Sequence, residues 1–397
     1  MCLEGEHRAG RVGVDDGPGQ ASANQKHGRG IHLLTPASLV AQDQAGPMTV
    51  PFMVYGASGY TGRLLVEAAL SGGLRPILAG RNETTLAPLA ERLGLEYRVV
   101  RLGDPPTLDA ALRKVRVVLH AAGPFSATAR PMVDACLRTG THYLDITGEV
   151  RVIEQLATRH AEARRRGIMI MPAVGFDVVA TDCLAAHVAH RLPGAHRLAL
   201  GIRGFGSSSR GSGKALVEAV NYGVVRRDGV IARVPLGALS HRFDYGDGPR
   251  ESLNLSWGDV AASYYTTGIP NIAVYAEATP LARAILGTCR ALGWMFGTAP
   301  WQVWLRASME TFAKGPDEAE RSARRVAVVA EAEDRRGHRA ISRLGTPEAY
   351  TFTGTSGAAV AARVLAGDFE SGFHTPARIY GRDFVLALPA VVREDIA

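Results

Sequence analysis

Pro51–Gly62 reads PFMVYGASGYTG. A short apolar run, Phe52–Tyr55, stops at Gly56, and glycines recur at Gly59 and Gly62. Beyond them Leu64, Leu65, Val66, Ala68, Ala69 and Leu70 fall at helical spacing. Strand, glycine turn and helix in that order are the setting in which a glycine pattern signals a nucleotide site. Glycine lets backbone approach a diphosphate, whose charge meets free N–H groups and the positive end of the helix. Ser58 and Thr61 add hydroxyls, and Tyr60 is expected with them among the cofactor-binding residues. The plainer reading is an ordinary strand-to-helix turn.

Outward from this stretch, strand and helix alternate. Arg75–Ala79, Tyr97–Leu102, Val115–Ala121, Tyr143–Ile146 and Ile168–Met171 read as strands. Helices are expected over Thr84–Leu93, Pro106–Lys114, Pro131–Thr139 and, as one long element, Val150–Arg166. Repeated β-α units with apolar, β-branched strands predict an α/β fold with a Rossmann-type, doubly wound parallel sheet.

At the end of the second strand such folds place an acid when the dinucleotide has a free ribose 2′-hydroxyl. Here Arg81 and Asn82 stand instead. A guanidinium there can clamp a 2′-phosphate, so the position reads NADP(H), although Glu83 follows directly. Asp104, after the third strand, is placed either to bind the adenine amino group or to cap a helix at the Pro-Pro turn. The fourth strand empties into Ala121-Ala122-Gly123-Pro124, small residues against which the nicotinamide half can lie, or a plain loop.

After residue 172 the texture changes to alternating, turn-punctuated sequence. A helix is expected over Asp182–Arg191 and another over Gly211–Tyr222. Strands are expected at Arg197–Arg203, Arg242–Tyr245, Ser252–Ser256 and Asn271–Ala276. Hairpins turn at Asp228-Gly229 and Arg336-Gly337. This predicts a second, α+β domain on a mostly antiparallel sheet. The expected division is a leader over 1–47, the dinucleotide domain over 48–175, a substrate and dimerisation domain over 176–350, and a C-terminal segment, 351–397, returning to the first domain through a helix at Ser356–Leu365. The leader is polar, aperiodic and without a secretory apolar core, so a disordered extension or a mis-assigned start is expected there.

The 397 residues suffice for two domains with a large core. A net charge of +7 first suggests nucleic acid, but only four of the 45 basic residues are Lys and the arginines are scattered, not striped. Anionic partners remain compatible with it: the cofactor, and an acidic acyl carrier. Four distant cysteines form no metal or disulfide framework, no metal is expected, and a reducing cytoplasm is the expected setting. Ala291–Leu305 is uncharged for 15 residues and holds three of the four Trp. It is too short to span a bilayer, and reads as a core or dimer-face segment, or as an apolar lid or peripheral lipid contact.

The combination GASGYTG at 56–62, AGRN at 79–82, AAGPF at 121–125, CLRTGTHYLDITGE at 136–149, VGFDVVATD at 174–182 and FHTPARIYG at 373–381 resembles the saccharopine dehydrogenase-like oxidoreductases, a family that includes trans-acting enoyl reductases and saccharopine reductase. The resemblance runs from residue 50 to the C-terminus. It implies an NADP(H)-dependent oxidoreductase and a homodimer. Ala180 stands where the family commonly has Pro.

No Tyr has Lys four positions later, which removes the usual Tyr/Lys route between alcohol and ketone. Tyr143 and Asp145 end a strand on the cofactor side, with a turn-capping role as the alternative. Asp177 either lines the cleft or serves a hinge. Arg210 and Lys214, in GSSSRGSGK, form a second anion cradle or a solvated loop. Tyr264, beside Tyr265, supplies a general acid or packs as an aromatic. The expected catalytic pair is Tyr264 and Lys214, with Asp177 and Arg210 on the substrate. The activity these features favour is hydride transfer to a hydrophobic, enoyl-thioester substrate. Saccharopine-type C–N chemistry and a non-catalytic dinucleotide-binding module are the alternatives.

Overall fold

The computed structural model describes residues 51–204, 223–235, 237–280, 283 and 315–397. The leader over 1–47, the helix expected over 211–222, Arg210, Lys214 and the apolar stretch 291–305 lie outside the described residues.

Six strands of the first half, β1 (Phe52–Tyr55), β2 (Ile77–Gly80), β3 (Tyr97–Val99), β4 (Val117–His120), β5 (His142–Asp145) and β6 (Met169–Met171), lie parallel in one sheet. A late strand, β15 (Gly372–Phe373), extends it, giving the order β15-β6-β5-β4-β1-β2-β3. Every residue of β1, β2, β4, β5 and β6 is buried, as expected where helices cover both faces. The order reverses at β1 and β4, so the crevice at their carboxyl ends is where a doubly wound sheet takes its ligand.

The helices of this half are α1 (Tyr60–Ser71), α2 (Glu83–Leu93), α3 (Pro105–Leu112), α4 (Phe125–Thr139), α5 (Val150–Ala157) and α6 (His160–Arg166). Two depart from the sequence reading. α4 starts at Phe125, six residues before Pro131, because the Glu149 carboxylate accepts from the N–H groups of Phe125 and Ser126 at 2.7 and 2.8 Å. That cap comes from 24 residues away and leaves no local signal. The long helix over 150–166 is instead two, broken at Thr158–Arg159.

The second sheet comprises β7 (Arg197–Arg203), β8 (Gly223–Arg227), β9 (Val230–Val234), β10 (Ser240–Asp244), β11 (Pro249–Leu255), β12 (Asn271–Glu277), β13 (Arg325–Glu333), β14 (Arg339–Pro347) and β16 (Val392–Asp395). Only the β12–β7 pair is parallel among the described residues. The β8–β9 hairpin turns at Asp228 and Gly229, both at positive φ (47° and 81°), the twist that suits a two-residue turn. α7 (Phe176–Arg191) packs against β13 and β14 and against α8 (Asp259–Thr267), a helix the sequence reading left unassigned. α7 begins six residues before the expected Asp182, and its first turn is distorted: Asp177 is non-helical and Val178 sits at φ 103°.

A short helix, α9 (Glu318–Ala323), precedes β13, and α10 (Ala349–Leu365) follows β14. α10 lies along α1, with Gly354 and Gly357 where the two meet. A Cβ at Gly354 would stand 3.0 Å from the Leu64 carbonyl oxygen, and one at Gly357 would stand 2.5 Å from Leu65 Cδ2. The chain then contributes β15 and α11 (Pro376–Tyr380) before β16 joins the second sheet. The C-terminal segment therefore serves both sheets.

Candidate functional site

The crevice at the carboxyl ends of β1, β2 and β4 is a cleft of about 890 Å³. Its floor is the glycine turn. Gly56 adopts φ 87°, and a Cβ there would lie 2.9 Å from the backbone of Ala121 and Ala122. At Gly62 a Cβ would stand 2.1 Å from the Gly56 carbonyl oxygen. Gly59 donates its N–H to that same oxygen at 3.0 Å. Glycine at 56 and 62 is thus what lets α1 start directly under the turn.

The start of α1 is bare. No side chain caps it, and its first turn holds no acid. By contrast α2, α3 and α10 are capped by Asn82, Asp104 and Glu348. Open N–H groups at the positive end of a helix, with the cleft in front of them, are the donor set a pyrophosphate needs. Glycine at 56 and 62 lets the backbone of the turn, of Ala121-Ala122 and of α1 pack this closely, which brings the start of α1 to the cleft, so the residues present fit a dinucleotide.

Ser58, Gly59, Tyr60, Thr61, Arg81, Asn82, Ala122 and Gly123 all line this cleft, with Gly56. Gly62 lies buried beneath it. The Tyr60 side chain turns away: its hydroxyl donates to the Pro316 carbonyl, accepts from Arg321 and stacks edgewise on Tyr350, so only its backbone faces the ligand. Asn82 Oδ1 accepts from Thr84 N and Oγ1, at 3.0 and 2.7 Å, fixing the β2–α2 turn. Asp104 departs from the adenine expectation. Its carboxylate caps α3 through Thr107 N–H and hydroxyl (3.4 and 2.6 Å), and it is not among the cleft residues. Pro124 also stands outside the lining, as the N-cap of α4.

Beneath Ala121 lies His120, fully buried between the rings of Tyr55, Phe125 and Tyr143. Burial pulls its imidazole down to about 3, so it is neutral there. Tyr143 donates to Asp145 at 2.6 Å, and Asp145 accepts the N–H groups of Thr147 and Ala173 at 2.9 and 2.8 Å. Both ends of Asp145 are consumed in holding the β5 and β6 loops together, which is the turn-capping role.

Past Gly123 the site continues to the second domain. Glu149 caps α4 beside the cleft, and the preceding Gly148 is packed on Asp177: a Cβ on Gly148 would stand 2.8 Å from Asp177 Oδ2. Asp177 is partly exposed. Desolvation pushes its carboxyl up to about 7, opposed by the Trp257 side chain beside it. The neighbouring Val178, β-branched and at φ 103°, is a strained residue of the kind that clusters at working sites. Deeper between α7 and α8 lie Asp182 and Asp259, both fully buried. Asp182 accepts from Thr266 at 2.8 Å, and Asp259 accepts from Thr181. Burial raises them to about 6 and about 8.

Tyr264 does not reach this cleft. The Arg226 guanidinium lies 4.1 Å over its ring, and Arg226 in turn pairs with Glu154 and donates to the carbonyls of Val260 and Gly229. The Tyr264 ring is thus packed under a guanidinium. Sequence reasoning also missed Arg101, which lines the cleft opposite Arg81. Its only signal was a position just past the third strand. No group of three or more acid, His or Cys residues that could hold a metal occurs among the described residues. No helix among them is long and apolar enough to cross a membrane.

A bare helix start under a glycine turn, and arginine where NAD-specific folds keep an acid, define an NADP(H)-binding Rossmann domain. Residues 52–171 match the family model of the saccharopine dehydrogenase NADP binding domain. The dinucleotide domain is thus similar to that of the saccharopine dehydrogenases. The chain is 36% identical over 138 residues to a trans-acting enoyl reductase of Mycobacterium leprae, a stretch covering 33% of each chain. With a saccharopine dehydrogenase-like oxidoreductase of Bos taurus it shares 26% over 162 residues, 36% of this chain and 38% of the relative. These matches thus span about a third of the length of the relatives. Among solved structures, the saccharopine dehydrogenase (L-Glu forming) of Saccharomyces cerevisiae superposes with a TM-score of 0.60 at 14% identity, over 87% of this chain and all of that one. The homospermidine synthase of Legionella pneumophila, in complex with NAD, gives 0.62 at 9%, over 88% and 92%. At such identities the likeness is one of fold.

Proposed function

We propose that this chain is an NADPH-dependent reductase acting on a hydrophobic enoyl thioester, with Asp177 supplying the proton. The observation that carries the reading is the cleft, open from Arg81 to Gly123 and followed by the Gly148–Asp177 contact. The thioester class is supported by relatives named trans-acting enoyl reductase, matched at 34–36% over about a third of the chain.

The glycine turn, Arg81 and Ala121–Gly123 would hold NADPH, which when bound would supply a hydride for the β-carbon of the acyl chain. The chain's own residues do the rest. Ala121–Gly123 give the nicotinamide half a flat backbone bed, and the neutral His120 beneath adds no charge to it. Asp177 holds a proton near neutrality; its O–H bond breaks as the α-carbon gains its C–H bond, and the carboxylate regains a proton from solvent before the next turnover. Arg210 and Lys214 are placed by sequence to meet a pantetheine phosphate, and an acidic acyl carrier suits the net charge of +7.

The test follows NADPH oxidation with enoyl thioesters of increasing chain length and with keto-acid and amine pairs that form imines. Turnover rising with acyl length is expected. Imine reduction without enoyl reduction overturns the proposal in favour of C–N chemistry, and tight NADPH binding without any turnover makes the chain a binding module. Asp177→Asn is expected to lower kcat roughly 100-fold or more while leaving NADPH affinity intact. Because the acid must be protonated, wild-type rate falls as pH rises through about 7, and the variant loses that limb.

A further inference from the structure

We propose that Arg101 joins Arg81 in holding the 2′-phosphate of NADP(H), so that two guanidiniums, not one, set the preference over NAD(H). The proposal rests on the NADP(H) reading of the cleft and adds a specificity-determining residue to it.

The first ground is strand register. β2 and β3 are parallel, Gly80 is opposite Val99, and Val100 donates its N–H to the Gly80 carbonyl at 2.9 Å. Arg81 and Arg101 therefore leave the sheet from the ends of neighbouring strands, roughly 5 Å apart along the hydrogen-bonding direction. The second is the space between them. Arg81, Asn82, Glu83, Thr84, Val99 and Arg101 line an open recess of about 600 Å³. Arg81, Asn82 and Arg101 belong to the main cleft as well, so the recess opens where the adenosine ribose would lie.

The third is that both guanidiniums are uncommitted. Among the described residues neither has an ion-pair or hydrogen-bond partner. Nearby Arg98, by contrast, is spent on Glu96 at 2.8 Å and on the Ala111 carbonyl.

The fourth is charge balance. Glu83 lines the same recess, and among the described residues its carboxylate accepts from the Tyr97 hydroxyl alone, at 3.4 Å. One arginine facing one glutamate would leave the recess neutral towards an incoming phosphate. Two arginines leave it net positive, which a phosphate group of about −1.5 to −2 at neutral pH requires. Arginine also offers the fork that grips phosphate oxygens in pairs. The recess therefore explains how an NADP(H) site tolerates an acid one step beyond Asn82.

The experiment titrates NADPH and NADH, by nucleotide fluorescence, into wild type, Arg81→Ala, Arg101→Ala and Glu83→Gln, each checked by circular dichroism. Arg101→Ala is expected to weaken NADPH roughly 10-fold or more and to move NADH by no more than about twofold. Arg101→Lys, which keeps the charge and loses the fork, is expected between the two, and Glu83→Gln is expected to tighten NADPH alone. An Arg101→Ala protein that binds NADPH as wild type does, while Arg81→Ala loses its preference, overturns the proposal and leaves the cofactor assignment standing. Equal loss for both nucleotides also overturns it. Wild type that binds NADH as tightly as NADPH overturns the assignment itself.

Discussion

Gly62→Ala is the substitution that most directly tests how α1 meets the glycine turn. The added Cβ would stand 2.1 Å from the Gly56 carbonyl oxygen and 2.9 Å from the Ala57 Cα, both backbone atoms. Ordinary contact begins above 3 Å, so the helix start and the turn must part by roughly an ångström. Alanine suits a helix better than glycine does, so propensity opposes the loss and steric conflict alone drives it. Overpacking of this kind costs about 1–3 kcal/mol, more when only backbone can yield. At about 3 kcal/mol the melting temperature falls by roughly 6–12 °C. The same displacement moves the α1 N–H groups off the pyrophosphate. Each charged hydrogen bond lost is worth about 1.5–3 kcal/mol, so NADPH affinity drops roughly 10- to 150-fold. The assay is a circular dichroism melt with and without NADPH, together with a binding titration. Gly72→Ala is the control at the other end of the same helix, where φ is −85° and a Cβ meets only ordinary contacts at 3.5 Å. A Gly62→Ala protein that melts and binds like the Gly72→Ala control would refute the reasoning.

Two further perturbations address the junction of the sheets. Arg226 is only 4% exposed and ties Glu154 of α5, the Val260 carbonyl of α8 and the Tyr264 ring together. Arg226→Ala removes these contacts, while Glu154 keeps the Tyr265 hydroxyl and a partly solvated edge, and is expected to cost about 1–3 kcal/mol, read as a melting shift; an unchanged melt would refute the role. Asp259 has a folded pKa of about 8, above the ordinary carboxyl value, because burial penalises its charge. Its contribution to stability is therefore full in acid and is lost as pH rises towards 8. Asp259→Asn keeps an acceptor for Thr181 and removes that loss, so the variant's melting temperature is expected to gain on wild type between about pH 5 and pH 9. A gap that stays constant across that range contradicts the assignment.

Much of the first sheet was legible because burial on both faces makes its short strands apolar throughout, and because Gly56, Gly59 and Gly62 fall between a strand and a helix. The hairpins were legible for a similarly local reason: Asp228-Gly229 and Gly337 occupy the positive φ that their turns demand. What escaped was set by distant partners. The start of α4 depends on Glu149, the Asp104 carboxylate is engaged by Thr107, and the Tyr264 ring is covered by Arg226. Helix α8 escaped because its buried face carries Asp259 and Ser263 among alanines, a stripe too polar to announce a core. Arg101 has no motif around it; only the register of β2 against β3 puts it across from Arg81.

The dinucleotide half borrows its last pieces from far down the chain. Helix α10 packs beside α1 and against β4, and β15 closes the sheet edge beside β6, yet both lie more than 170 residues beyond the stretch that the NADP-binding family model matches. On a ribosome, the phosphate-gripping turn would emerge long before the helix that steadies it, so a nascent chain halted near residue 200 would show an unclosed apolar flank along Leu64, Leu65 and Leu119. Cutting the gene at the end of the matched segment should accordingly yield aggregates in place of a small nucleotide-binding module, and co-expressing the final fifty residues in trans should rescue solubility.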